Sequence, residues 1–328
     1  MARSRGKPKV SIIIPTYNEE GRIRECLESL RDEYVAQNAE IIVADGGSTD
    51  DTKKIVGDFK KDYPRVEIRQ INNPLKHQSF GLNAGIKAAR GKIIVRIDAH
   101  ARYPKNYVER CVKLLEKTGA DNVGGVMRAR GTSGFQKSVA LAMNHPIGVG
   151  DAKFHLGRKS GYVDTVYLGT FRKELFKKLG YFDPYQNQDA EFNLRILKSG
   201  GKIFLDNSIK VDYFPRDSLG ALISQYFNYG RGRCRTTLKH RRFTSLRQLA
   251  PLLLVLGLIG SIVLSTLASP LFLLIPVFYA ALMFLFSFLS LGGSSRQFSR
   301  SLFLAFIFGS MHISWGLGFW VYLLGINR

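Results

Sequence analysis

Two hydrophobic patterns divide the chain. Up to about residue 217, short runs rich in Val and Ile (Val10–Ile14, Glu40–Asp45, Val66–Ile71, Lys92–Asp98 and Asn122–Val126) alternate with longer amphipathic stretches near residues 19–33, 51–62, 79–90 and 104–118. Apolar runs that short, bounded by polar turn residues, read as buried strands, and the longer periodic stretches read as helices. Their alternation predicts an α/β domain over residues 1–215, a mostly parallel mixed sheet flanked by helices. Beyond residue 248 the pattern changes. Leu249–Ala268, Pro270–Leu291 and Leu302–Gly325 are uncharged and apolar, each matching the roughly 20 residues a spanning helix needs. Three transmembrane helices are therefore expected within residues 249–328, the first two joined by a tight turn at Ser269-Pro270. A buried helical domain is the alternative, and three such stretches without one carboxylate argue against it.

Residues 216–248 lie between these regions. Leu219, Leu222, Ile223, Tyr226 and Phe227 share one helical face, and Arg231, Arg233, Arg235, Lys239, Arg241, Arg242 and Arg247 follow. An interfacial helix on the membrane surface and a helix facing a protein core both fit that pattern. Charge adds orientation. Lys and Arg number 48 against 26 Asp and Glu, a net charge of +22, and Asp217 is the last acidic residue. Arg296 and Arg300 follow the second apolar stretch, whereas the Ser269-Pro270 turn carries no charge. The positive-inside rule then puts the N-terminal domain and the 292–301 loop in the cytoplasm, and three crossings put the C-terminus outside. A basic cluster beside a span suits anionic lipid headgroups, so no nucleic-acid partner is expected. The three cysteines, Cys26, Cys111 and Cys234, have no paired spacing, which argues against a disulfide framework or structural zinc and fits a reducing compartment. MARSRGKPKV holds no apolar stretch, so a cleaved signal peptide is not expected. His312 is the sole histidine inside an expected span, where no Asp, Glu, Lys or Arg falls; by this reading it packs or hydrogen-bonds between helices, and a transport pathway lacks its usual intramembrane carboxylates.

Candidate chemistry collects at strand ends, where open α/β sheets bind ligands. Pro15-Thr16-Tyr17-Asn18-Glu19-Glu20 follows the first strand, Asp45-Gly46-Gly47-Ser48 the second and Asp98-Ala99-His100 the fourth. Asp45 suits an acceptor for base or ribose donors. Gly46 and Gly47 permit close backbone approach, and Ser48 or Asp50 suits a helix cap, although the segment also reads as a plain turn. The GxGxxG and GxxxxGK[ST] signatures are absent. Asp98 and His100 are metal-competent, a carboxylate and an imidazole that suit Mn²⁺ better than Mg²⁺ by ligand preference. Gly169-Thr170-Phe171 is expected after a strand at Asp164–Leu168. Asp189 falls in the first turn of a helix, where it serves either as a cap or as an ionised general base. The basic stretch 128–160 is expected to be disorder-prone and able to close over a ligand, with His145 and His155 as surface or packing residues.

SIIIPTYNEE, EIIVADGGSTDDT, FGLNAGIKAARGKIIVRIDAH, YLGTFRKELFKKLGYFD and NQDAEFNLRILKSGG, in that order over residues 9–215, resemble the family 2 glycosyltransferases of the GT-A fold, inverting enzymes that use nucleotide-sugars. SQYFNYGRGRCRTTLKH and GSMHISWGLGFW resemble its membrane-bound branch, engaged in succinoglycan-type polysaccharide assembly. The resemblance implies that Pro15, Tyr17 and Glu19 line the nucleotide pocket, that Asp45 binds base or ribose, and that Asn83 and Gly85 shape the donor site. It implies that Asp98 meets ribose and diphosphate with a divalent metal, Mn²⁺ or Mg²⁺. His100 departs from the family's Asp-x-Asp motif. Gly169 and Thr170 match the acceptor-side loop, and Asp189 matches the catalytic base, with Gln188 in place of the family's Glu. The Gln-x-x-Arg-Trp motif of processive synthases is absent, which favours single additions. The implied activity is transfer from a UDP-sugar such as UDP-glucose to a hydroxyl of a lipid-linked saccharide, by a plasma-membrane protein with a cytoplasmic catalytic domain. The alternatives are a polyprenyl-phosphate sugar synthase and, from another class, a non-catalytic nucleotide-sugar-binding membrane protein or transporter.

Overall fold

The computed structural model describes residues 7–184, 187–243 and 245–326, with Val35 described by its backbone alone. The first six residues of the stretch read above for a signal peptide lie outside the described residues, as do Asn327 and Arg328. Contacts divide the chain into two compact units. One comprises residues up to Arg128 together with Lys153–Tyr213, and the other Ala129–Ala152 together with Phe214 onward. Residues 129–152, which a linear division leaves in the first domain, thus pack with the C-terminal helices.

Nine strands are found among the described residues: β1 (Val10–Thr16), β2 (Ala39–Asp45), β3 (Glu67–Asn72), β4 (Ile93–Arg96), β5 (Ala101–Arg102), β6 (Asn122–Ala129), β7 (Gly161–Tyr162), β8 (Tyr167–Arg172) and β9 (Ile203–Tyr213). In chain order the helices are α1 (Ile23–Ser29), α2 (Arg31–Ala36), α3 (Thr52–Asp62), α4 (Gln78–Ala88) and α5 (Tyr107–Thr118), then α6 (Gly134–Met143) and α7 (Pro146–Val149), then α8 (Lys153–Leu156), α9 (Lys173–Leu179) and α10 (Gln188–Lys198). The sheet order is β3-β2-β1-β4-β8-β6-β9-β5, with β7 beside β9. β1 lies parallel between β2 and β4, and β3 extends the parallel half. Both faces of these strands are covered, which is why they read as unbroken apolar runs. Side chains alternate between two cores: Ile12, Ile14, Val43 and Val95 join Leu27 and Phe59 on one face. Ile13, Ile42 and Ile94 join Ile86, Phe176 and Phe192 on the other.

The second half of the sheet is antiparallel, with β8 pairing β4 and β6, and β9 pairing β5 and β7. The hydrophobic pattern does not reveal β9. Its Asp206, Asn207, Ser208, Lys210 and Asp212 interrupt the apolar run, and its partners β5 and β7 are two residues each. β8 also lies a few residues later than expected. A register shift opposite Val123 and Gly125 accompanies Leu168 in the left-handed region at φ +51°, a bulged, locally strained strand.

The second unit contains α6, α7 and four further helices: α11 (Leu219–His240), α12 (Leu249–Leu267), α13 (Leu274–Ser290) and α14 (Phe298–Leu323). α12, α13 and α14, each with a short 3₁₀ segment at its start, are long and apolar enough to cross a membrane. Residues 128–160 are not a loose loop. α6 starts on a Ser133 cap that accepts from Gln136 N–H, and α6 and α7 pack on α14. His145 is a packing residue, as expected: its Nδ1 accepts from Ile147 N–H at 3.2 Å and its Nε2 meets Ser290 Oγ at 3.1 Å. α11 faces protein: Leu222, Tyr226, Gly230 and Cys234 are buried, and its most extensive helix partner is α14. The two approach closely because Gly230 lies against Trp315 O and, at 2.9 Å from an added Cβ, Phe319 N.

A side chain at Gly230 forces backbone apart. Gly230→Leu is expected to destabilise this unit by about 1–3 kcal/mol, whereas Gly220→Ala on the same helix, with nothing near its Cβ position, should be neutral or stabilising by up to about 1 kcal/mol. Thermal unfolding of both variants in detergent checks the contrast.

Candidate functional site

Two loops at the carboxyl ends of β1 and β2 are stitched together by hydrogen bonds. Asn18 N–H donates to Ser48 Oγ (3.0 Å) and Glu19 N–H to Thr52 Oγ1 (2.8 Å). Thr49 N–H donates to Asn18 Oδ1 (2.9 Å), and Glu20 N–H to Asp50 Oδ2 (3.0 Å). Asn18 adopts φ +53°, which Asn tolerates better than most residues. Asp45, 4% exposed, organises the second loop: Oδ2 accepts from Gly47 N–H (2.9 Å) and Ser48 N–H (3.0 Å), and Oδ1 from Ser48 Oγ (2.5 Å). Gly47 makes this turn at φ +77°, where a side chain is strained. Burial works against ionisation of Asp45, but the Ser48 and Gly47 donors and Lys53, 3.4 Å away, outweigh it and hold the carboxyl below its ordinary value. Both Asp45 oxygens are thus engaged with its own loop. Tyr17 stands 43% exposed beside it, with Lys76 Nζ 5.4 Å from the ring centroid, and Pro15 is half-buried against Gly81.

The end of β4 holds the centre of the site. Arg96 is buried in the sheet and ion-paired with two carboxylates: Asp98, at 3.2 Å from Nη2, and Asp189, from Nη1. Burial alone disfavours the guanidinium cation, but the two carboxylates outweigh that and raise its pKa. Gln78 Nε2 donates to Asp98 Oδ1 at 3.0 Å, and Gln188 Nε2 donates to Gln78 Oε1 at 2.8 Å. Since Gln188 precedes Asp189, the side chains form a closed ring linking β4, the start of α4 and the start of α10. The cap position of α10 is Asn187, which makes no side-chain capping bond. Asp189 is turned to Arg96 instead, so a capping role does not account for it. Burial raises the Asp189 carboxyl above the ordinary aspartate value; Asp98 adds to the rise and Arg96 opposes it. With 43% of the side chain still exposed, water tempers that rise. The neighbouring Glu191 is buried and locked to Arg195 at 2.8 Å.

His100 Nδ1 lies 3.1 Å from Glu19 Oε1. Among the described residues no three His, Cys, Asp or Glu side chains gather to hold a metal. The candidate donors are one carboxylate, Asp98, which also accepts from Arg96 and Gln78, and one imidazole, His100, a pair of the type a divalent ion takes when diphosphate oxygens and water fill its other positions.

Four expected site residues lie elsewhere in the packing. Asn83 exchanges two hydrogen bonds with the backbone of Phe182 (2.8 and 3.0 Å), and so braces the segment leading to α10. Gly85 faces Ile13 in the core, giving α4 close approach to β1. Gly169 and Thr170 are not in a loop but inside β8, where Thr170 pairs with Val95 and Val123, because the strand extends to Arg172. Gly169 still lines a small cavity with Asp189, Asn122 and Asn193. The sequence reading missed Arg96 and Gln78. For Arg96 a signal exists: one charge interrupting the apolar run Ile93–Ile97 can be buried only if carboxylates close on it. For Gln78 none exists.

An α/β sheet whose central strand ends beside two carboxylates sharing one buried arginine defines a class, and comparison with known proteins specifies it. A family model, Glycosyl transferase family 2, matches residues 11–180. Succinoglycan biosynthesis protein ExoA of Rhizobium meliloti is 35% identical over 97% of this chain and 96% of its own length. A dolichyl N-acetyl-α-D-glucosaminyl phosphate 3-β-D-2,3-diacetamido-2,3-dideoxy-β-D-glucuronosyltransferase of Methanococcus voltae is 31% identical over 67% of this chain and 71% of its own. The mannosyltransferase PcManGT of Pyrobaculum calidifontis, solved with GDP-Man and Mn²⁺, superposes with a TM-score of 0.63 at 19% identity, covering 98% of this chain and 88% of that one, a likeness of fold. The chain belongs to glycosyltransferase family 2, with a GT-A fold, and it is a glycosyltransferase.

Removing the buried cation leaves Asp98 enclosed without a counter-charge. Arg96→Met is expected to cost about 3–5 kcal/mol of stability, with Arg96→Lys intermediate because an ammonium lacks the planar fork that reaches two carboxylates. Denaturant unfolding of the two variants checks the order.

Proposed function

We propose that the protein transfers a sugar from a nucleotide-sugar, a UDP-sugar in the first instance, to a hydroxyl of a lipid-linked saccharide, with inversion, in cell-surface glycan assembly. The observation that carries this reading is the ring joining Asp98 to Asp189 through Arg96. It couples a donor-side carboxylate to a carboxylate suited to deprotonate an acceptor. The names of the relatives support the acceptor class: one acts in succinoglycan biosynthesis and one on a dolichyl-linked N-acetylglucosaminyl phosphate. A lipid phosphate acceptor needs no base, so Asp189 favours the hydroxyl.

In this mechanism Tyr17, Pro15 and Glu19 border the nucleotide, and the Asp45 loop receives its base or ribose. Asp98 and His100 would hold a divalent ion, which supplies charge neutralisation for the departing diphosphate. Asp189 accepts the acceptor proton as the hydroxyl attacks C1. A carboxyl raised from its ordinary value is the better base at neutral pH. Arg96 engages Oδ1 of Asp189 and leaves Oδ2 to take the proton. The helical C-terminal unit anchors the enzyme at the plasma membrane, with the catalytic unit cytoplasmic.

Asp189→Asn is expected to retain donor binding, followed by calorimetry, while turnover falls by about 10²–10⁴-fold. Near-normal release of nucleoside diphosphate across a panel of UDP-, GDP- and dTDP-sugars would overturn the assignment. Chelation with EDTA should abolish transfer, and Mn²⁺ or Mg²⁺ should restore it; full activity after chelation would remove the metal from the scheme.

A further inference from the structure

Hydropathy marks three C-terminal crossings, but the contacts inside the second unit fit only two. If α12, α13 and α14 were successive spans, α12 and α14 would run in the same direction and start at the same face. Their contacts show another register. Gly316, near the end of α14, lies against Pro251 O and 2.6 Å (from an added Cβ) from Val255, at the start of α12. Trp320 Nε1 donates to Leu252 O at 3.1 Å. At its other end, Phe298 packs on Phe284, two thirds of the way along α13, ring centroids 5.2 Å apart. The turn at Ser269-Pro270 closes α12 and α13 into a hairpin, so the start of α12 and the end of α13 are its two open ends, on one face. α14 therefore begins at one open end and finishes at the other, about 27 Å of helix between Phe298 and Gly316 at 1.5 Å per residue.

Two further observations agree. α11 runs along α14, with Gly230 against Trp315 and Gly318 against Phe227 O, and carries Arg231, Arg233, Arg235 and Lys239. A helix so charged does not lie at hydrocarbon depth, and its closest neighbour lies with it. The exposed apolar positions differ as well. On α14, Phe298, Leu302, Phe303, Phe306, Leu317 and Leu323 are exposed, and at 3.6 residues per turn they share one side, a little under half of the helix. On α12, Leu253, Leu256, Ile259, Ile262 and Leu264 are exposed over a little more than half of the helix, and 17% of its span is buried against 44% of the α14 span.

We propose that only α12 and α13 cross the membrane, and that α14 lies in the plane of the interface, its exposed apolar side set into the acyl boundary and its opposite side covered by protein. α11 and α14 then form a platform resting on lipid at the base of the hairpin, and the C-terminus returns to the face where α12 begins.

The test uses the full chain in the inner membrane of a bacterial host, because the native cysteines are all buried. A membrane-impermeant maleimide is applied to intact spheroplasts carrying Ala268→Cys or Ile326→Cys, both exposed positions. Labelling of Ala268→Cys in intact spheroplasts, with Ile326→Cys labelled only after permeabilisation, is the expected result. Labelling of Ile326→Cys in intact spheroplasts, whatever Ala268→Cys does, would overturn the in-plane assignment. Protection of both until permeabilisation would overturn the two-crossing hairpin.

Discussion

A cation placed inside a β-sheet has to be surrounded by anions, and Arg96 imposes that condition on everything near it. Its partners come from different parts of the chain: Asp98 from the same strand, and Asp189 from the first turn of a helix 93 positions away. Gln78 and Gln188 close the ring, so the start of α4, the end of β4 and the start of α10 are held in one arrangement. Such a network adds little net stability, since desolvation of three charges offsets much of their attraction. What it supplies is position. Asp98 and the proposed base Asp189 share one guanidinium, and neither moves without disturbing the other.

The loops around this centre are organised in advance. Asp45 binds its own turn, and the β1 and β2 loops exchange hydrogen bonds along Asn18–Glu20 and Ser48–Thr52. Asn83 performs the same service farther back, clamping the Phe182 backbone before α10. Its importance to the site is therefore indirect, through the helix it steadies.

The second unit obeys a different constraint. Its helices bury one another through backbone approach at Gly230, Gly316 and Gly318, where an added side chain would meet the neighbouring helix's backbone. α14 is the shared partner, touched by α6, α7, α11, α12 and α13, and it is the most buried of the three apolar helices. His312, inside this helix, meets Tyr279 Oη at 3.0 Å and Ile147 O at 2.7 Å, which agrees with the packing role read from the sequence.

Periodicity is a local property, and what depends on it was legible. The parallel strands β1 to β4, their flanking helices and the three apolar C-terminal stretches follow from residue patterns within one element. The polar sets after β1, β2 and β4 also stand out, because each follows an unbroken apolar run. β9 escaped notice because its polar residues hide the alternation, and the place of Gly169 and Thr170 depended on where β8 ends, which pairing with β4 and β6 decides. The chain by itself determined which segments are strands, helices and apolar stretches, and which side chains are chemically able to act. Tertiary structure alone decided that Arg96 joins Asp98 to Asp189, that Asn83 and Gly85 serve packing, and that the start of α12 meets the end of α14. Those are contacts between residues far apart in sequence, and no local pattern carries the energy that selects them.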